Sequence, residues 1–266
     1  MKIAIIGTGN LGKSIAKGLV TNQVITTLYL TKRNTADLKE FEEHKNVIIT
    51  QDNSLAIKNA DVLLLAVQPA QIEQILKNAK PLLTKNQVII STITGFSIAS
   101  IEHIIGQHQS IIRAMPNTAI AVGKSMTCLC SNISGEQHIE IAETIFNRLG
   151  HSLQIPESQM QAATVICASG IAFWMRLIRA TTQAAIQLGF DAKEAQKLAM
   201  YTSEGAASLL IQNKQHPEQE IDRVTTPKGC TIEGLNEMEH KGLSSSLIQG
   251  MVASFNKINT IKKEQL

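Results

Sequence analysis

The hexapeptide Gly7-Thr8-Gly9-Asn10-Leu11-Gly12 follows the β-branched run Lys2-Ile3-Ala4-Ile5-Ile6 at once and opens an amphipathic stretch. A G-x-G-x-x-G turn between a strand and a helix leaves few options for the chain around it. The first glycine permits the tight turn, the second lets a diphosphate approach the backbone, and the third lets helix pack closely on strand. The N–H groups at the helix start, which have no partner inside the helix, then face an anion. The pattern predicts a dinucleotide-binding sheet with Ile6, Gly7, Thr8, Gly9, Asn10, Leu11 and Gly12 at the cofactor.

The residues that follow support such a sheet. Apolar, β-branched runs at 3–6, 27–31, 47–50, 62–67, 88–93 and 111–114 read as strands, and further strands are expected at 126–130 and 152–155. Between them, apolar residues spaced by three and four predict helices over 10–20, 71–79, 98–105 and 135–149. Alternation of this kind describes a doubly wound, Rossmann-like α/β fold with a parallel sheet covered on both faces. After Pro156 the strand signal ends. Ala-rich stretches at 159–188, 192–212 and 243–261 predict long helices, with Gly189 and Gly242 as stops. The expected division is a dinucleotide-binding domain over 1–157 and an all-α domain over 158–266. Those helices are apolar over much of their circumference, so they are expected to bury that surface against a second copy, with a homodimer as the minimum assembly.

Composition narrows the function classes. The 266 residues carry a formal net charge of +3, with Lys and Arg scattered among Asp and Glu, so no basic stripe suited to a phosphate backbone is present. Nucleic acid is not an expected partner. Cys128, Cys130, Cys167 and Cys230 are spread along the chain apart from one C-x-C pair, whose spacing fits one face of a strand, and no metal site is expected. The uncharged run 160–175 is shorter than the roughly 20 residues of a membrane span and is read as a helix buried between subunits. No signal-peptide pattern opens the sequence, which points to the cytoplasm.

The end of the second strand bears on the cofactor. An NAD-binding chain places Asp or Glu there for the ribose hydroxyls. This chain reads Thr31-Lys32-Arg33-Asn34, with no acid until Asp37. Lys32 and Arg33 can hold a 2′-phosphate through charge-assisted hydrogen bonds, so NADP(H) is the expected cofactor, with NAD(H) left possible.

Three further segments are distinctive: Ala66-Val67-Gln68-Pro69, Arg113-Ala114-Met115-Pro116-Asn117-Thr118, and the run from Asp222 through Val224-Thr225-Thr226-Pro227-Lys228-Gly229-Cys230-Thr231 to Leu235. In the last of these, a Thr-Pro turn leads through Gly229 into a helix, and such a helix start is suited to a carboxylate. Together they resemble the AVKP, RxMPNT and DxVTSPGGTTIxGL motifs of the pyrroline-5-carboxylate reductase family, and the resemblance covers essentially the whole chain. It implies NAD(P)H-dependent reduction of 1-pyrroline-5-carboxylate to L-proline. On that resemblance Ala66, Val67, Gln68, Pro69, Met115, Pro116 and Asn117 contact the cofactor, as do Asn53, Thr92, Ile93 and Thr94. Thr231 would hydrogen-bond the ring nitrogen as the catalytic residue. Val224, Thr226, Gly229 and Cys230 would line the substrate pocket, and Glu157 and the stretch 164–170 match positions near the substrate.

The chain departs from the family where Gln68 stands for the usual lysine, where Lys228 stands for a glycine, and where Ala168-Ser169-Gly170-Ile171-Ala172-Phe173-Trp174 stands for SGSGPAY without its proline. These departures keep open a non-catalytic dinucleotide-binding paralogue. A β-hydroxyacid-dehydrogenase-like oxidoreductase is the other alternative, but that family needs a lysine in its long helix, and 159–188 contains only Arg176 and Arg179.

Overall fold

The computed structural model describes residues 1–22 and 25–264, with side chains through 258. Among them eight strands form one sheet: β1 (Lys2–Ile6), β2 (Thr27–Thr31), β3 (Val47–Thr50), β4 (Val62–Leu65), β5 (Val88–Ser91), β6 (Ser110–Met115), β7 (Ser125–Ser131) and β8 (Gly150–Gln154), in the spatial order β3-β2-β1-β4-β5-β6-β7-β8. β1 through β6 run parallel, so their carboxyl ends lie along one edge.

One part of the sheet departs from the all-parallel expectation. β7 runs antiparallel to β6 and parallel to β8. The cause is connection length: only residues 116–124 separate β6 from β7, too few for the crossover of about a dozen residues that parallel neighbours need. That connection holds a 3-10 turn, Thr118–Val122, which is capped by Gly123 with φ 67, so the chain reverses.

Successive strand residues point to opposite faces, which sorts the apolar side chains into two cores. Ile3, Ile5, Leu28, Leu30, Leu64 and Ile90 face one core, which is covered by α1 (Asn10–Thr21). Ala4, Ile6, Tyr29, Leu63, Leu65 and Ile89 face the other, which is covered by α2 (Asn53–Asn59), α3 (Pro69–Ala79) and α4 (Ile98–Ile105). The helix expected over 135–149 is broken into α5 (Ile133–Glu136) and α6 (Ile139–Asn147). Asn132 caps α5, accepting from the Gly135 N–H, which starts the helical segment two residues early.

The stretch expected as one helix over 159–188 is compound. A 3-10 turn, Glu157–Gln159, leads into α7 (Met160–Ala163), a π-helical segment Thr164–Ser169, and α8 (Gly170–Gln187). Continuing past Arg176 and Arg179, the 31 residues of Glu157–Gln187 are by length and composition enough to cross a membrane, contrary to the shorter run read from sequence. The beginning of this stretch belongs to a protein core: Met160, Ala163 and Val165 are buried, the first two in the same cluster as Ile6 and Leu65.

By backbone contacts the chain divides into two units, Met1–Ser169 with Ser254–Leu266, and Gly170–Ala253. In the second, α8 packs on α9 (Ala192–Asn213), and α10 (Pro217–Val224), α11 (Cys230–His240) and the first half of α12 (Leu243–Glu264) follow. Ala195 and Ala199 are its buried apolar residues among those described, while Trp174, Leu188, Tyr201, Ile211 and Val224 are exposed.

Candidate functional site

Because β1 to β6 are parallel, every loop leaving a strand end in this region opens at the same edge. The strand order reverses between β1's two neighbours, β2 and β4, and a crevice at such a switch point is where open α/β sheets bind ligands. The glycine turn sits there. Gly7 has φ 94, and a Cβ on it would stand 2.3 Å from Val67 Cγ1 and 3.0 Å from the Ala66 carbonyl. A Cβ on Gly12 would stand 2.5 Å from the Gly7 carbonyl. Gly9 differs: among the described residues nothing lies within 4 Å of where its Cβ would be. Two glycines thus let protein pack on protein, while the third faces open space at the N-cap of α1, where no side chain supplies a cap. This is the cradle a diphosphate requires.

Thr8 is fully buried, and its hydroxyl and N–H both donate to the Thr31 carbonyl, at 3.1 and 2.9 Å. The Gly7 N–H donates to the same oxygen at 3.2 Å. These bonds lock the turn to β2 and leave the helix start free to receive an anion.

Lys32 and Arg33, paired in the sequence reading, have different surroundings. Lys32 is bound to the Asp37 carboxylate, which lowers the Asp37 pKa through that hydrogen bond. Lys13 and Lys17 hold Glu40 at 2.5 and 2.9 Å and lower its pKa in the same way. Arg33 is exposed and has no ionic partner among the described residues.

The remaining expected cofactor positions arrive at the same edge. Asn53 is the first residue of α2, whose N-cap Asp52 accepts from the Ser54 N–H at 2.7 Å. Ala66 and Val67 follow β4, with exposed Gln68 at the N-cap of α3 and Pro69 at its first position. Thr92 and Ile93 follow β5 and are buried, with the Thr92 hydroxyl donating to the Leu65 carbonyl at 2.9 Å; Thr94 is half-buried. Met115 and Pro116 are buried at the end of β6. The Asn117 side chain accepts from Ala119 N–H and donates to the Cys167 carbonyl, both at 2.9 Å. Ile6, Thr8, Thr92, Ile93 and Met115 are too buried to offer side chains, so any contact they make is through the backbone.

The expected substrate positions lie in the other unit, Glu157 and residues 164–169 excepted. Val224 ends α10, and the Gly229 N–H donates to the Thr226 carbonyl at 2.9 Å. A Cβ on Gly229 would stand 2.4 Å from Thr226 Oγ1 and 3.0 Å from the Thr226 carbonyl, so a side chain there would displace the Thr226 hydroxyl. Lys228 takes φ 59, the left-handed conformation that glycine adopts without strain. Gly229 is the N-cap of α11 without a side-chain cap, and Cys230 and Thr231 form its first turn, so the helix start is open to a carboxylate. Thr226 and Cys230 are exposed and Thr231 is half-buried.

Two arrangements were not foreseen. Glu157 Oε1 accepts from Arg113 Nη1 at 2.9 Å and from the Ile98 N–H at 2.7 Å, joining β6 to the start of α4. Arg113 and Glu157 border a cavity of about 230 Å³ with Ser97, Gln161 and Thr164. A cation inside the apolar run Ile111-Ile112-Arg113-Ala114 is the sequence signal for such a partner, since buried arginine is almost always paired. The second is a pair of thiols, Cys128 and Cys167, with sulfurs 3.8 Å apart.

A glycine turn at the switch point of a parallel sheet, with a cationic second-strand end, defines a dinucleotide-binding protein of Rossmann type. Residues 2–95 match the family described as NADP oxidoreductase coenzyme F420-dependent, and residues 157–261 match pyrroline-5-carboxylate reductase dimerisation. The chain belongs to the pyrroline-5-carboxylate reductase family. It is 42% identical over 269 residues to pyrroline-5-carboxylate reductase 1 of Dictyostelium discoideum, covering 96% of this chain and 49% of that protein, so it spans about half that relative's length. It is 40% identical over 276 residues to pyrroline-5-carboxylate reductase 2 of the same organism, covering 96% of this chain and 91% of the relative. Among solved structures, a pyrroline-5-carboxylate reductase from Coxiella burnetii superposes with a TM-score of 0.88 at 32% identity, covering 97% of each chain.

Proposed function

We propose that this chain reduces 1-pyrroline-5-carboxylate to L-proline, with NADPH preferred over NADH, as a cytoplasmic homodimer or larger homo-oligomer. The observation that carries the reading is the 40% identity to a named reductase across 91% of its length. The glycine cradle supports it, since Gly9 opens onto free space at the N-cap of α1. When bound, NADPH supplies the hydride that converts the imine C=N carbon to a CH–NH carbon.

The protein's own task is to hold and orient. The first N–H groups of α1 receive the diphosphate. Arg33, which has no ionic partner among the described residues, takes the 2′-phosphate, and Lys32 orders the strand end through Asp37. The backbone of Ala66, Thr92, Met115 and Asn117 borders the nicotinamide end. The start of α11 accepts the substrate carboxylate, with Val224, Thr226, Gly229 and Cys230 around it, and Glu157 keeps its assignment to substrate binding on the resemblance alone. Thr231 hydrogen-bonds the ring nitrogen. Positioning of this kind supplies most of the rate for a substrate that is electrophilic once protonated on nitrogen.

The test is NADPH consumption, followed by its absorbance with and without pyrroline-5-carboxylate. Thr231→Ala should lower kcat about 10-fold, the worth of one hydrogen bond formed to the reacting group, while NADPH affinity stays within about twofold. Wild-type protein that binds NADPH and leaves it unconsumed would refute the reductase reading.

A further inference from the structure

Cys128 lies on β7 opposite Met115 of β6, and the residue is 4% exposed. Cys167 lies in the π-helical segment and is half-buried. Their sulfurs are 3.8 Å apart, and both cysteines are free. The backbone carbonyl of Cys167 accepts the Asn117 side-chain N–H at 2.9 Å. The thiol pair is therefore one residue contact from each of two positions, Met115 and Asn117, assigned to the nicotinamide end.

We propose that Cys128 and Cys167 are a peroxide-sensitive pair that closes into a reversible disulfide. The accessible partner reacts first. The Cys167 thiolate attacks one oxygen of a hydroperoxide, its S–O bond forms as the O–O bond breaks, and the departing oxygen takes up a proton to leave as water or an alcohol. Cys167 is then a sulfenic acid. The Cys128 sulfur attacks the Cys167 sulfur, an S–S bond forms, and the hydroxyl leaves with the Cys128 proton as water. Two thiols have lost two electrons and two protons, and the peroxide has gained them.

The surroundings divide the roles. The hydrogen bond between the two sulfurs lowers the Cys167 pKa to about 7, and the same bond, with burial, raises that of Cys128. Thiolate character and access choose Cys167 as the attacking group. Bonded sulfurs stand about 2.05 Å apart, so the pair must close before it can join. β7 is held by strands on both sides, whereas a π-helical turn lacks the regular α ladder, so the movement falls on 164–169. That shift pulls on the Asn117 contact. Cys130, on the same face of β7, is an internal comparison: burial pushes its thiol up to about 11, and no second sulfur stands against it among the described residues.

The test is to treat the purified full chain with hydrogen peroxide and map its peptides by mass spectrometry. The expected product is a Cys128–Cys167 cross-link, two hydrogens lighter than the reduced peptides and restored by dithiothreitol. In Cys128→Ala, Cys167 should go on to the sulfinic acid. Sulfinic Cys167 beside reduced Cys128 in the wild type, a different cross-link, or unreacted thiols would each overturn the proposal. The effect on turnover rests on the reductase reading and is scored separately: the oxidised protein should lose activity on the order of tenfold, since small misplacements near a reacting centre are costly, and regain it on reduction. A cross-link without loss of activity would confirm the chemistry and remove its regulatory consequence.

Discussion

Arg113 and Glu157, 44 residues apart, meet at 2.9 Å, with the arginine side chain 9% exposed and the glutamate 33%. The same Glu157 oxygen receives the Ile98 N–H at the start of α4. Glu157→Ala leaves a buried guanidinium without its counter-charge and a helix start without its acceptor. Breaking a fully buried pair costs about 3–5 kcal/mol; partial exposure of the glutamate reduces that to roughly 2 kcal/mol. Glu157→Gln keeps an acceptor and should cost about half as much. Urea unfolding at constant m-value measures both, and a Glu157→Ala midpoint equal to wild type would show that the pair carries no stability.

The three glycines of the turn should separate by what they touch. Gly12→Ala drives a methyl into the Gly7 carbonyl, and Gly7→Ala adds a positive φ to its clash with Val67. Each should lose roughly 1–3 kcal/mol of stability. Gly9→Ala meets nothing in the protein, so its thermal midpoint should stay near wild type while NADPH affinity falls at least about tenfold. Equal losses of stability at Gly9 and Gly12 would contradict the cradle.

The strands and the glycine turn were legible because their signals are local: β-branched runs of four to six residues, and glycines whose spacing matches one turn. The reversal at β7 was encoded too, in the short connection between Ala114 and Met126, but loop length has to be weighed against the parallel pattern to find it. The breaks at Gln137 and within 164–169 were hidden, because capping by Asn132 and a π turn leave the apolar periodicity almost unchanged. Arg113–Glu157 and Cys128–Cys167 join residues 44 and 39 positions apart, and no local pattern reports such pairs. The role of the 226–231 turn came from resemblance; the structure adds the local reason for Gly229.

Cofactor preference should depend on Arg33 more than on Lys32. Arg33→Ala removes a cation that has no ionic partner among the described residues and should raise KM for NADPH about tenfold, the scale of a charge-assisted phosphate contact, with KM for NADH little changed. Lys32→Ala releases the Asp37 carboxylate, which then repels the 2′-phosphate and can serve ribose hydroxyls, so it should improve NADH relative to NADPH. Steady-state kinetics with both cofactors decides between them, and an unaltered ratio in Arg33→Ala would remove that residue from phosphate recognition.

The thiol pair has a pH signature in the reduced protein. Thiolate increases with pH, so alkylation of Cys167 by iodoacetamide should rise with a midpoint of about 7 and fall to about a tenth of its plateau one pH unit below. Removing the S–H donor with Cys128→Ala should move that midpoint up towards the ordinary thiol value, about 8.5. A profile unmoved by Cys128→Ala would mean that Cys128 does not donate to Cys167.

Assembly can be tested on α9. Leu198 and Tyr201 are exposed, 45% and 68%, and with Gly205 and Leu209 they follow helical spacing along one stripe. Gly205 is the telling member. In a helix interior glycine costs about 1 kcal/mol relative to alanine, and among the described residues nothing lies within 4 Å of where its Cβ would be. In an isolated chain Gly205→Ala should therefore stabilise; if a partner copy packs on the stripe, a methyl there should instead weaken the assembly. Leu198→Lys with Tyr201→Lys places two charges on the same surface and should shift the sedimenting species from dimer to monomer. A double variant that sediments as wild type, together with a Gly205→Ala protein of raised thermal stability, would place the subunit contact on another face.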